Sequence, residues 1–197
     1  MVTPLVLASA SAVRATILRH AGLEFEIRPA DVDEAAIKAD LAERSTSDLA
    51  ARLAETKARR TAERHPGALV IGADQILDCG GRRFDKPRDR TEARRHLEFL
   101  RGRDHRLVSA VCAARDDELL WEHRAEPVLT MRSFSDEFLN AYLDRAGPDV
   151  LDSVGAYRLE GIGVQLFSRI DGDYFSILGL PLLPLLDFLR RHGVLSS

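Results

Sequence analysis

Apolar residues come in two patterns along this chain. Short unbroken runs suit strands buried on both faces, and runs spaced three or four apart suit one-sided helices. Leu5 to Ala8 is unbroken and Ile17, Leu18 and Ala21 follow at helical spacing, so the opening reads strand, tight turn, helix, with Gly22 as the stop. Phe25 to Arg28 predicts a second strand before the acidic turn Asp31-Val32-Asp33-Glu34. A long helix is predicted from about Ser47 to Arg64, with Leu49, Leu53 and Ala54 on one face and His65-Pro66-Gly67 ending it. Leu69 to Ala73 reads as a buried strand that ends at Asp74, with Ile76-Leu77 able to extend it into a hairpin turned by Gly80-Gly81.

In the second half, Thr91 is placed to cap a helix reaching Arg101 and stopped by Gly102. Leu107 to Ala114 and Leu119 to Met131 read as an antiparallel pair around Asp116-Asp117, and Ser135 to Ala146 as a helix ended by Gly147-Pro148. Val164 to Ile170 and Tyr174 to Leu178 flank Asp171-Gly172-Asp173, which reads as a hairpin turn. A closing helix is predicted from Pro181 to His192. Strands alternate with helices early and pair as hairpins late, which predicts an α/β fold with a mixed twisted β-sheet flanked by helices.

The 197 residues and 45% hydrophobic content suit one domain, 1–197, with a substantial core. A net charge of −3 without a long basic block argues against a nucleic-acid or membrane-surface protein. Cys79 and Cys112 are isolated, as expected of free thiols in a reducing compartment. The apolar run Val2 to Ala8 ends in Ala8-Ser9-Ala10, like a signal-peptidase site, yet no basic residue precedes it, so it reads as a strand. No stretch approaches the ~20 apolar residues that span a bilayer. The expectation is a cytoplasmic protein.

Only three of the 28 basic residues are lysine, Lys38, Lys57 and Lys86; the rest are arginine. In a chain that takes arginine for generic positive charge, each lysine is a candidate for a compact ammonium. Ser9-Ala10-Ser11-Ala12-Val13-Arg14 lies where the first strand turns into the first helix, a place suited to an anion. An arginine in a first turn without an acid opposes the helix dipole unless an anion lies nearby. Asp74, after small residues at the end of an apolar run, can bind a divalent ion or deprotonate water. The acidic turn can add a second carboxylate to such a site.

These residues resemble a known family. Ser9-x-Ser11-x-x-Arg14, Asp31-Val32-Asp33-Glu34, Leu53-Ala54-x-x-Lys57-Ala58, Gly72-Ala73-Asp74, Lys86-Pro87 and Gly155-Ala156-Tyr157 fall in the order and approximate spacing of the Maf-like nucleotide pyrophosphatases. The resemblance implies a fold like that of the inosine triphosphate pyrophosphatases, an elongated mixed sheet with helices and a cleft. It implies hydrolysis of nucleoside triphosphates, modified ones included, to the monophosphate and pyrophosphate with a divalent metal, Mg²⁺ or Mn²⁺. By position, Asp74 corresponds to the proton acceptor and, with Glu34, to the metal-associated carboxylates. Ser9, Arg14, Lys57 and Lys86 correspond to the triphosphate clamp.

Val13, Gln75 and Glu160 match the family's positions of base choice. The pyrimidine-preferring branch has Arg, Thr and Gln there, and the 7-methyl-GTP branch is similar to Trp, Gln and Glu. Gln75 and Glu160 follow the second pattern, and Val13 follows neither. A buried Glu160 carboxylate would accept hydrogen bonds from guanine N1 and N2 or favour a cationic methylated base. The alternatives implied are a 7-methyl-GTP pyrophosphatase and a nucleotide-binding regulator of septum formation. The expected partner is a nucleoside triphosphate, and a homodimer stays open. A P-loop module is disfavoured because no Gly-x4-Gly-Lys-Ser/Thr pattern occurs.

Overall fold

A computed structural model describes residues 4–196. Val2 and Thr3 of the first apolar run therefore lie outside the described residues. Among the described residues, chain contacts divide into two compact units, one formed by residues 4–75, 108–125 and 173–196, the other by 76–107 and 126–172.

The first unit opens with β1 (Leu5–Leu7), α1 (Ala12–His20), β2 (Glu26–Ile27), α2 (Glu34–Asp40) and α3 (Thr46–Ala62). It also takes residues 69–75 of β3 (Leu69–Cys79), residues 108–115 of β5 (Asp104–Arg115), β6 (Glu118–Ala125), α6 (Tyr174–Ile177) and α7 (Leu182–Arg191). β1 pairs in parallel with β2 and with β3, Leu5 opposite Leu69 and Leu7 opposite Ile71. β5 and β6 pair antiparallel from Ser109–Ala125 to Arg115–Glu118. Leu69, Ile71 and Ala73 project into a core with Leu5, Leu7, Leu18, Leu185 and Phe188. Alternation along a strand sends Gly72 and Asp74 to the opposite face.

That face meets α3 closely. A Cβ on Gly72 would lie 2.2 Å from the Ala54 carbonyl oxygen and 2.8 Å from the Ala58 Cβ. Glycine here lets the helix lie directly on the strand, and the next turn of α3 brings Lys57 to Asp74.

The second unit holds residues 76–79 of β3, β4 (Arg82–Phe84), α4 (Arg90–Leu100), residues 104–107 of β5, β7 (Val128–Met131), α5 (Asp136–Ala146) and β8 (Phe167–Asp171). β3 turns antiparallel into β4 through Gly80-Gly81, both at positive φ, as the sequence predicts. β7 pairs antiparallel with β5 and with β8. Parallel and antiparallel ladders flanked by helices make the mixed α/β sheet that was expected. No described helix is long and apolar enough to cross a membrane.

Several expectations are corrected. Asp74 does not end a strand, because β3 continues to Cys79; it is β1 that stops, its register reaching only Ile71. The acidic turn starts a helix, α2, capped by Asp33, whose carboxylate accepts from the Ala36 amide at 3.0 Å. Asp89, not Thr91, caps α4, accepting from the Glu92 amide at 2.8 Å. The run Leu119 to Met131 is two strands, because Pro127 has no amide hydrogen to continue a ladder.

Asp171-Gly172-Asp173 is not a hairpin turn. Asp173 accepts from the Ser176 amide at 2.9 Å and starts α6, a single helical turn where extended chain was expected. Residues Val164 to Leu166 belong to a 3₁₀ turn, so β8 begins only at Phe167.

Candidate functional site

The first unit gathers Ser9, Arg14, Glu34, Lys57, Asp74 and Gln75. Ser9 lies in the β1–α1 turn and is buried, and its hydroxyl accepts from the Ser11 amide at 3.2 Å and from Arg14 Nη1 at 3.1 Å. Ser11 caps α1, accepting from the Arg14 amide at 3.4 Å. The first turn of α1 contains no acid. The Arg14 side chain instead turns inward, where Nη1 donates to the Ala73 carbonyl at 2.9 Å and Nε to the Gly179 carbonyl at 2.8 Å. Burial pulls the Arg14 pKa down, and the charges of Asp74 and Glu34 oppose that.

Lys57 Nζ lies 2.6 Å from Asp74 Oδ1 and 2.7 Å from Glu34 Oε1, so one ammonium is shared by two carboxylates. Asp74 is 8% exposed, while the Glu34 side chain is 43% exposed. Burial pushes the Asp74 pKa above the ordinary carboxylate value; Lys57 and Arg14 pull against it, and Glu34 adds to it. The outcome is a carboxylate that is short of hydration, drawn one way by two cations and the other by burial and Glu34, which suits a proton acceptor.

Among the described residues, three or more His, Cys, Asp or Glu side chains do not gather as a metal centre. The Asp74–Glu34 pair nevertheless fits a divalent ion. Both ligands are hard oxygens that already face one cationic group, and Mg²⁺ is commonly held by one or two carboxylates when substrate phosphates supply further oxygens.

Val13 is partly buried against the apolar core of the first unit. Gln75, next to Asp74, faces the other side of β3. Its Nε2 donates to the Ser109 hydroxyl at 2.9 Å and to the carbonyls of Ser176 at 3.1 Å and Ile177 at 3.0 Å. Lys86 and Glu160 belong to the second unit. Lys86 is exposed in the connection from β4 to α4. Glu160 is not buried as expected; it is on an exposed turn, 3.3 Å from Arg158 Nε. The carbonyls of residues 176, 177 and 179 were missed by sequence reasoning, since backbone acceptors leave no trace in side-chain type. Ser109 was missed too, although a lone hydroxyl inside the apolar run Leu107 to Ala114 was a usable signal.

Strand β3, the β1–α1 turn and α3 thus define a protein with a buried carboxylate set beside two basic groups, Lys57 and Arg14. The chain belongs to the Maf-like protein family, whose profile matches residues 4–192. It is 55% identical over 192 residues to a nucleoside triphosphate pyrophosphatase of Paramagnetospirillum magneticum, covering 96% of this chain and 99% of the relative. A Rhodospirillum rubrum protein of the same description is 54% identical, covering 100% and 98%. A 7-methyl-GTP pyrophosphatase of Brucella abortus is 50% identical, covering 98% of each chain.

Proposed function

We propose that this protein hydrolyses nucleoside triphosphates to the monophosphate and pyrophosphate. The observation that carries the reading is the buried Asp74 joined through Lys57 to Glu34, with Arg14 beside them. The descriptions of its close relatives support it.

In this reading Ser9, Arg14, Lys57 and Lys86 hold the phosphates, and Asp74 orients a water molecule. The water oxygen forms a bond to phosphorus, its proton passes to the Asp74 carboxylate, and the α–β phosphoanhydride breaks with its electron pair leaving on pyrophosphate. Asp74 and Glu34 would hold Mg²⁺ or Mn²⁺, as suits a metal-dependent pyrophosphatase. When bound, that ion neutralises charge on the phosphate oxygens. Lys57 has a further task beforehand, pulling the Asp74 pKa down against its burial and holding the two carboxylates turned toward each other.

Purified protein should release pyrophosphate from nucleoside triphosphates with Mg²⁺ or Mn²⁺ and stop with chelator. Asp74→Asn should lower kcat by ~10²–10⁴-fold, the usual worth of a general base. Equal turnover in the variant removes Asp74 from the reaction.

Base choice in this reading falls to Val13, Gln75 and Glu160. The Brucella relative's description and the glutamine at position 75 favour guanine-type bases, 7-methyl-GTP included. The exposed, ion-paired Glu160 makes a weaker discriminator than a buried carboxylate would. A panel of guanine, uracil and thymine triphosphates tests this, and dTTP or UTP turning over fastest overturns it.

A further inference from the structure

We infer that the C-terminal turn of α6 and Ser109 form a positioning device that fixes the Gln75 amide, so that Gln75 offers the substrate only a carbonyl oxygen. The inference rests on the proposed pyrophosphatase reading and deepens its account of base recognition.

The amide orientation follows from its partners. The carbonyls of Ser176 and Ile177 can only accept, so the Gln75 nitrogen must face them. Ser109 is fully buried, and its single hydroxyl proton goes to the Ser176 carbonyl at 2.8 Å. Its lone pair is therefore what receives Gln75 Nε2 at 2.9 Å. Two amide hydrogens thus meet three acceptors, and none is left for a ligand. A flipped amide would set its oxygen against two carbonyls.

The acceptors are not accidental. The last carbonyls of a helix have no partner within the helix, and α6, only four residues long, directs two of them at Gln75. Just beyond the helix the Gly179 carbonyl receives Arg14 Nε at 2.8 Å. Gly179 has φ +91, and a Cβ there would lie 3.3 Å from Arg14 Nη2 and 3.4 Å from Gln75 Oε1. The glycine therefore leaves open the space onto which the Arg14 guanidinium and the Gln75 oxygen converge. Residues 176 to 179 thus hold both the Arg14 guanidinium and the Gln75 amide, and both reach the space beside Gly179. A ligand engaging that oxygen must bring an N–H donor, which a lactam base edge provides.

The test compares ITP with N1-methyl-ITP, and UTP with N3-methyl-UTP, each pair differing in its ring N–H donor, alongside base-free ribose 5′-triphosphate. Wild-type protein should prefer the unmethylated member of the pair it turns over by roughly tenfold or more in kcat/KM, the usual cost of an unpaired buried acceptor. Ser109→Ala removes both an acceptor of the Gln75 amide and the donor that holds the Ser176 carbonyl against it, and should compress that preference several-fold while leaving ribose 5′-triphosphate turnover unchanged. Should Ser109→Ala fold poorly, Ser109→Thr keeps the hydroxyl and should retain the preference, whereas Gln75→Leu should abolish it. Ser109→Ala should have no further effect on the preference in the Gln75→Leu background. A preference unchanged in Ser109→Ala, or a uniform fall on every substrate, overturns the inference. No pyrophosphate release from any substrate by wild-type protein overturns the functional reading instead.

Discussion

Asp74 has opposing neighbours, and their signs make a prediction at the scale of single residues. Burial raises its pKa, Lys57 and Arg14 lower it, and Glu34 raises it. A base works only when deprotonated, so kcat/KM should rise with pH through the Asp74 pKa, on a limb above the ordinary carboxylate range. Lys57→Met removes a nearby positive charge and should move that limb to higher pH; Glu34→Gln removes a negative charge and should move it lower. Identical pH profiles in the two variants would show that another group sets the limb. Lys57 is also a test of size. Its compact ammonium is shared by two carboxylates at 2.6 and 2.7 Å, a place where a planar guanidinium does not fit without displacing one of them. Lys57→Arg should therefore reduce kcat/KM even in a chain rich in arginine.

Elements position these residues, and the contact of α3 with β3 is the most demanding. Gly72→Ala would drive a methyl group into the Ala54 carbonyl, a backbone atom that cannot rotate away. The helix must move, at a cost of about 3 kcal/mol judged from overpacking in other cores, and Lys57 moves with it. Urea unfolding should show the loss of stability, and kcat should fall further than the unfolded fraction explains.

The same elements show what the sequence made legible. The β1–α1 turn, α3 and the first half of β3 could be read because their apolar spacing and glycine punctuation are local signals. The end of β3 could not, since whether a strand continues through an aspartate depends on what pairs beside it. α6 was misread because Tyr174 to Leu178 is too short for period to separate helix from strand. Ser9, Arg14, Lys57 and Asp74 carry side-chain chemistry that a sequence displays, whereas the carbonyls at the end of α6 belong to the backbone. The burial of Glu160 could not be read, because burial of a charged turn residue is decided by tertiary surroundings.

At the scale of the molecule, we propose that the whole chain behaves as one domain. β3 gives residues 69–75 to one unit and 76–79 to the other, and β5 is divided in the same way, so neither unit can lose its strands alone. Calorimetry should show one transition, with calorimetric and van't Hoff enthalpies equal; two resolved transitions would refute this.

His105 makes that stability depend on pH. It is 1% exposed, bonded through Nε2 to the Tyr157 hydroxyl at 2.7 Å, and burial lowers its pKa to about 4. The unfolded chain takes up a proton near the ordinary histidine value, about 6.5, which the folded chain refuses. Stability is therefore full above that value and falls as pH drops toward 4, by about 3 kcal/mol in all. Urea midpoints across this range should fall for wild-type protein and less for His105→Asn.

The shared strand β3 also decides how the chain could be divided into two pieces. Ser9, Arg14, Glu34, Lys57, Asp74 and Gln75 all precede the exposed Gly80-Gly81 turn, while β5, α6 and α7 follow it. A fragment of residues 1–80 would hold the reacting groups of the first unit without the segments that bury its core or hold Arg14 and Gln75. Expressed as separate pieces cut at this turn, each half should be inert alone. Fused to a pair of interacting tags they should regain pyrophosphate release, so that the enzyme reports on whether two other proteins meet.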